Sequence, residues 1–99
     1  MNYKHLQYFM QVAKTGSVLG ASERLHVTPQ TISGQIQLLE EQLGTPLLTK
    51  SGRGLVLTEA GRLALGYAED IFSLGAELEQ ALREHPNSRP ALEFRIGVA

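Results

Sequence analysis

Apolar residues recur at helical spacing along residues 3–43 and predict three successive helices. Residues 3–14 carry apolar side chains three and four positions apart, as on one helix face: Leu6, Phe9, Met10 and Ala13. Ser17 is a good N-cap for a short second helix, whose inward face would be Val18, Ala21 and Leu25. Thr28 and Pro29 favour the start of a third helix, which runs to about Leu43 and ends at Gly44.

The pattern changes between residues 47 and 58, where two short β-prone runs flank a glycine-rich turn. The runs LLTK and LVLT on either side of SGRG predict a β-hairpin, or wing. Thr58 and Glu59 then open a fourth helix, which no proline interrupts before Pro86. The predicted fold class is mainly α: a winged helix-turn-helix, with a three-helix core and a β-hairpin wing, followed by a long dimerisation helix.

The fourth helix is too long for so small a core to cover, since about 26 residues at ~1.5 Å each give a rod of ~39 Å. Its apolar positions alternate three and four residues apart, which is typical of a helix that packs against a second helix. We expect a dimer interface formed by Ala64, Tyr67, Ile71, Leu74, Leu78 and Ala81. The alternative is that this face is core for a domain absent from the chain.

Three segments follow from this pattern. Residues 1–58 are the winged helix-turn-helix domain, residues 59–84 are the linker and dimerisation helix, and residues 85–99 are a hinge followed by one strand. The run HPNSRP has the composition of a linker, and residues 92–98 alternate apolar and polar side chains as a strand does. A lone strand has no partner here, so we expect the sequence to be the front part of a longer protein.

The composition is that of a folded globular domain and offers little to a catalytic or metal site. Apolar residues make up 42% and charged residues 19% of the chain. There is no cysteine, and the three histidines are scattered without an HExxH pattern. The run GTPLLTKS is close to a phosphate-binding loop, but Thr49 stands where the second glycine is required. We expect no enzyme activity, no cofactor and no metal.

The chain shows no targeting or membrane segment. Its N-terminus lacks a basic stretch followed by an apolar one, and no run approaches the ~20 apolar residues that span a bilayer. We therefore expect a cytoplasmic protein without a membrane partner.

Charge is divided unevenly along the chain, although the net charge is only -1. Residues 1–66 contain six lysines and arginines against four acidic residues, a net charge of +2. Residues 67–99 contain three arginines against six acidic residues, a net charge of -3. The positive excess of the first part permits a phosphate partner without requiring one.

The two helices within residues 17–43, joined by a short turn, are typical of a DNA-binding helix-turn-helix. Steps of about 100° per residue put the core side of the third helix at Ile32, Ile36, Leu39 and Leu43. The opposite side carries Gln30, Gly34, Gln37 and Glu41, flanked by Thr31 and Ser33. This outer face is polar and uncharged over its first two turns and becomes acidic only at Glu40 and Glu41, where a DNA duplex has receded.

These side chains suit the groups that DNA exposes. The amide of Gln30 can bond N6 and N7 of adenine together, and a threonine offers both a hydroxyl and a methyl group. Free N–H groups near Thr28 and Gln30 can bind a phosphate at the helix N-terminus. Arg53, between two glycines at the hairpin tip, can reach a narrow minor groove, with Lys50 on an adjacent phosphate.

The run SVLGASERLHVTPQTISGQIQLLEEQLGTPLLTKSGRGLVLTEAG resembles the LysR-type transcriptional regulators over roughly residues 3–66. That pattern has a second helix rich in small residues, a turn containing Ser/Thr-Pro that leads into the third helix, an LExxLG ending, a GRG wing and a TxAG opening to the linker helix. The resemblance implies a homodimer joined through the linker helices, often paired into a tetramer, on an inverted repeat of double-stranded DNA near a promoter. Residues 94–97 resemble the first strand of the family's effector-binding domain.

By position, the family's contacts in the third helix fall on Thr28, Pro29, Gln30, Thr31, Ser33 and Gly34, and its wing contact falls on Arg53. With Ser17, Gln37 and Lys50, these residues form the set that we expect at the DNA. The runs TPQTISGQI and GRGL are most similar to the subgroup that activates sodium/proton antiporter genes.

The chain departs from the family pattern at two places. Many members carry a long polar or basic side chain where Gly34 stands. Glycine there suggests either that the backbone approaches DNA closely or that the helix simply tolerates a glycine at this position. Leu48 and Lys50 replace a common phenylalanine and arginine and keep their chemistry. The rival function is a helical dimerisation or adaptor module that binds no specific DNA.

Overall fold

The computed structural model describes residues 1–86 and contains four helices and one hairpin in that range. In chain order the elements are α1 (Tyr3–Thr15), α2 (Val18–Leu25), α3 (Pro29–Leu43), β1 (Leu48–Ser51), β2 (Gly54–Leu57) and α4 (Glu59–Glu84). The chain divides into two compact units, of which the first is Met1–Glu69 and the second begins at Asp70. The strand predicted at residues 92–98, and the hinge after Pro86, lie outside the described residues.

Capping residues set the helix bounds. The Oδ1 atom of Asn2 accepts hydrogen bonds from the N–H groups of Lys4 and His5 at 2.8 and 3.3 Å, so α1 begins at Tyr3. Helix α3 ends at Gly44, whose φ of 79° is easily adopted only by a residue without a Cβ atom. The bounds predicted for α3 are thereby confirmed.

The core of the first unit lies among α1, α2 and α3, which contact one another in every pairing. Its buried apolar side chains are Leu6, Tyr8, Phe9, Met10, Val12, Ala21, Ile32, Ile36, Leu39, Leu47 and Ala68. Three residues predicted to face the core are only half-buried: Ala13, Val18 and Leu25. Leu43 is 43% exposed, and its prediction as a core residue was wrong. Helical spacing predicts only the direction in which a side chain points, whereas burial also requires another element to cover it. Leu43 is the last residue of α3, where no other element covers it fully.

The wing is a two-stranded antiparallel hairpin. Its register runs from Leu48↔Leu57 to Ser51↔Gly54, which leaves Gly52 and Arg53 as a two-residue turn. The N–H of Leu55 donates a hydrogen bond to the carbonyl of Gly16 at 3.4 Å, so the second strand is joined to the turn between α1 and α2. The hairpin predicted from the sequence is confirmed, with β1 beginning one residue later than expected.

Helix α4 runs without interruption from Glu59 to Glu84. In the first unit it is anchored through Gly61 and Ala68, which are buried. In the second unit Ile71 and Phe72 are half-buried, and every described residue after Phe72 is exposed.

Candidate nucleic-acid interface

The exposed start of α3 is held by its own N-cap. The Oγ1 atom of Thr28 accepts a hydrogen bond from the N–H of Thr31 at 3.2 Å, and the two threonine hydroxyl oxygens are 2.9 Å apart. Pro29 occupies the first helical position, where its missing N–H would have no partner in the helix. No acidic residue lies in this first turn, so the positive end of the helix dipole is not neutralised locally.

The outward face of α3 is polar and exposed. Gln30, Gly34, Gln37 and Glu41 are all exposed, and so are the flanking Thr31 and Ser33. Within residues 1–86, the amides of Gln30 and Gln37 take part in no hydrogen bond. On the opposite face Ile32 and Leu39 are fully buried. The helix therefore presents uncommitted donors and acceptors to a partner outside the protein.

The Glu40 side chain is bonded within the protein and is not available to a partner at the outward face of α3. The sequence did not predict this role. The Oε2 atom of Glu40 accepts hydrogen bonds from the N–H groups of Leu47 and Leu48 at 2.8 and 3.3 Å. The carboxylate thereby joins the last turns of α3 to the start of the wing. The signal was present in the sequence, because Glu40 follows the buried Ile36 by four residues and so lies beside the core face.

The wing presents two cations near its tip. Gly52 has a φ of 60° and Arg53 does not have a positive φ, a combination that fits a type II′ hairpin turn. Lys50 and Arg53 are exposed, and neither forms a salt bridge within the described part of the chain. Both guanidinium and ammonium groups are thus available to an anionic partner.

Ser17 is a capping residue in the structure. Its Oγ atom accepts a hydrogen bond from the N–H of Gly20 at 2.8 Å, and its side chain is half-buried. Ser17 precedes α2 by one residue, next to the Gly16 carbonyl that binds the wing. The sequence had predicted both the cap and a DNA contact, and the hydrogen bond confirms the cap.

The predicted interface positions on α4 differ in exposure. In the first unit Tyr67 is exposed and Ala64 is half-buried. In the second unit Leu74, Leu78 and Ala81 are exposed, and Ile71 is half-buried. Two exposed leucines were not in the predicted set: Leu63 in the first unit, at 65%, and Leu82 in the second, at 58%. The fixed alternation of three and four residues left them out.

The described residues contain neither a metal-binding cluster nor a membrane-spanning helix. Among residues 1–86, no three histidine, aspartate or glutamate side chains are grouped so as to hold a metal ion. No helix in the described range is long and apolar enough to cross a membrane.

A known family model covers the helix-turn-helix, the wing and the start of α4. Residues 3–62 match the model of the bacterial regulatory helix-turn-helix proteins, lysR family. The chain belongs to the LysR family. This confirms the resemblance seen in the sequence, and the match ends within the first turns of α4.

Curated LysR-type relatives are similar along nearly all of the chain. It is 46% identical to the transcriptional activator protein NhaR of Escherichia coli (strain K12) over 99 residues, which are 100% of this chain and 32% of that protein. It is 40% identical to the HTH-type transcriptional regulator TcbR of Pseudomonas sp. (strain P51) over 97 residues, 98% of this chain and 31% of that protein. The chain thus spans about a third of the length of these relatives.

Solved structures of LysR-type proteins confirm the winged helix-turn-helix fold. The CbnR DBD in a DNA complex matches with a TM-score of 0.79 at 40% identity, covering 84% of this chain and 95% of that chain. The BenM DBD in complex with benA site 1 DNA matches with a TM-score of 0.80 at 31% identity, covering 84% of this chain and 96% of that chain.

Proposed function

We propose that this chain is the DNA-binding part of a cytoplasmic transcriptional regulator and recognises a specific double-stranded site. Helix α3 lies in the major groove, and the wing reaches the adjacent minor groove. The observation that carries the proposal is the outward face of α3, whose Gln30 and Gln37 amides have no partner within residues 1–86. The CbnR and BenM domains, which are similar in fold and sequence, were crystallised with DNA.

The proposed contacts fall into three groups by chemistry. Gln30 reads a base edge, with Gln37 about two turns further along, while the start of α3 and Lys50 hold phosphates. Arg53 enters the minor groove from the wing tip. The full proposed set is Ser17, Thr28, Pro29, Gln30, Thr31, Ser33, Gly34, Gln37, Lys50 and Arg53.

The regulator acts as a homodimer on an inverted repeat. One domain offers few cationic contacts, and two copies supply more phosphate contacts and read two half-sites. The two copies join through α4, with an interface that includes Ala64, Tyr67, Ile71, Leu74, Leu78 and Ala81. In this proposal residues 1–58 bind DNA, residues 59–84 dimerise, and residues 85–99 lead into an effector-binding domain; tetramers form in the longer protein.

The major-groove assignment is tested with Gln30→Ala. Duplexes that the wild-type chain enriches from a random library provide the DNA, and fluorescence anisotropy measures affinity. We expect Gln30→Ala to lose about 1 to 3 kcal/mol of binding free energy and to relax the base preference at one position of each half-site. The matched control is Gln42→Ala, an exposed glutamine in the last turn of the same helix, which should bind as wild type does.

The outcomes separate the proposal from its rival. If the wild-type chain enriches no sequence over random DNA, the chain is a dimerisation or adaptor module and the proposed function is wrong. If it enriches a sequence but Gln30→Ala and Gln42→Ala bind that sequence equally well, α3 is not the reading element.

The wing assignment is tested with Arg53→Ala on the same selected duplexes. Removing a cation from a narrow minor groove should weaken binding, and most of all on sites flanked by A·T pairs, where the groove is narrow. Arg83→Ala, which removes an exposed arginine from the last turn of α4, is the control for charge alone. Equal losses for the two variants would mean that Arg53 acts only through net charge.

A further inference from the structure

Gly34 stands in the middle of the outward face of α3. It follows Gln30 by four residues and precedes Gln37 by three, so the three positions lie along one line of the helix. Glycine is less favourable than alanine in a helix interior, because it loses more conformational freedom on folding. A glycine at this place therefore calls for a reason, either in the fold or outside it.

The fold gives no such reason. The backbone of Gly34 is helical, and a Cβ atom built on it would meet nothing within 4 Å. Gly66 and Gly75 in α4 likewise have open space at the Cβ position, whereas three other glycines show what a structural requirement looks like. Gly16 and Gly44 have positive φ angles, and a Cβ atom on Gly61 would lie 2.0 Å from the carbonyl oxygen of Leu47. Gly34 has neither feature, so any requirement for glycine comes from a partner.

We propose that a base pair of the bound DNA comes so close to the Cα atom of Gly34 that no side chain fits there, which makes Gly34 a specificity-determining contact. The inference rests on the proposed function, since it takes α3 as the element in the major groove. A bare backbone at this position lets the helix axis approach the base edges. The amides of Gln30 and Gln37 then reach bases on either side of the contact.

Two variants of increasing size test the inference. Gly34→Ala adds one methyl group, and Gly34→Gln adds the kind of long polar side chain that otherwise serves to read a base. The control is Gly66→Ala in α4, since Gly66 is also helical and exposed and has open space at its Cβ position. Thermal unfolding of each chain is measured beside its affinity for the duplexes that the wild-type chain selects from a random library.

If a base pair lies close to Gly34, the Gly34→Ala variant should be more stable than wild type and yet bind DNA more weakly. Gly34→Ala and Gly66→Ala should both raise the melting temperature by about 4 to 8 °C, because alanine favours the helix and meets no clash. Gly34→Ala should nevertheless bind the selected duplex roughly tenfold more weakly or worse, Gly34→Gln more weakly still, and Gly66→Ala unchanged.

Two results would overturn the inference in distinguishable ways. If wild type selects a sequence and both Gly34 variants bind it as tightly, glycine is merely tolerated and only the inference fails. If wild type selects no sequence at all, the proposed function fails and the inference with it.

Discussion

Among the described glycines of the first unit, Gly61 has the least room for a Cβ atom. It is buried in the first turn of α4, directly beneath the carbonyl group of Leu47. That carbonyl also accepts a hydrogen bond from the N–H of Thr58 at 3.0 Å, so it cannot move aside freely. The wing and α4 therefore meet at a point where only a hydrogen atom fits.

We predict that Gly61→Ala destabilises the chain although alanine is the better helix former. The gain in helix propensity is at most ~1 kcal/mol, whereas forcing a methyl group against a fixed backbone costs about 1 to 3 kcal/mol or more. Urea unfolding should show a lower midpoint than wild type. Gly66→Ala makes the same chemical change in open space and should be stabilising, so a Gly61→Ala variant as stable as wild type would contradict the packing shown here.

The contrast between Gly61 and Thr28 shows which residues the sequence can predict. Thr28 bonds to Thr31, three residues away, so the local pattern of a hydroxyl followed by proline is enough to find the cap. Gly61 is required by Leu47, which is distant in sequence, and although this glycine belongs to the TxAG motif, nothing in the run TEAGR indicates that contact. Residue roles that depend on a distant partner need the fold.

At the scale of elements, helix bounds were predictable because caps mark them locally, but the joints between elements were not. One such joint lies between α3 and the wing. The half-buried Glu40 accepts hydrogen bonds from the N–H groups of Leu47 and Leu48, and Leu47 is itself almost completely buried. From the sequence, Glu40 is predicted only as part of the acidic end of α3, because periodicity does not identify the partner of a side chain.

We predict that Glu40→Ala loosens the joint and destabilises the chain by about 1 to 3 kcal/mol, since it leaves a buried N–H group without a partner. Glu40→Gln keeps an acceptor oxygen and should lose less. Glu41→Ala, at the exposed neighbouring position, should be close to neutral. Urea unfolding gives the free energies, and amide hydrogen exchange should speed up at Leu47 and Leu48 in Glu40→Ala. Equal stability of the Glu40→Ala and Glu41→Ala variants would show that the joint contributes nothing.

At the scale of the molecule, the exposed apolar side chains of α4 are the clearest mark of a missing partner. In the second unit Leu74, Leu78 and Leu82 recur every four residues and are all exposed. Single exposed apolar residues are ordinary, whereas a row on one helix face favours another helix. The sequence predicted this face from its spacing, but which residues it includes depends on what the protein itself covers, as Leu63 and Ala64 show.

We predict that Leu74→Glu converts the chain from dimer to monomer in sedimentation equilibrium, because a carboxylate buried between two apolar helix faces has no partner. Ser73→Glu adds the same charge one residue away, at an exposed polar position, and should remain dimeric. A dimeric Leu74→Glu variant would place the interface elsewhere on the molecule.

The same pair of variants relates dimerisation to DNA binding. The proposed contacts of one copy include only two cations, Lys50 and Arg53, so one copy releases few counterions from DNA, and two copies on one duplex release about twice as many. The logarithm of affinity falls with the logarithm of salt concentration in proportion to that number. Leu74→Glu should therefore bind a selected inverted repeat more weakly than wild type, with a salt slope roughly half as steep. Ser73→Glu carries the same added charge and should keep the steep slope, so a shared shallow slope would mean that added charge, and not the loss of the second copy, weakens binding.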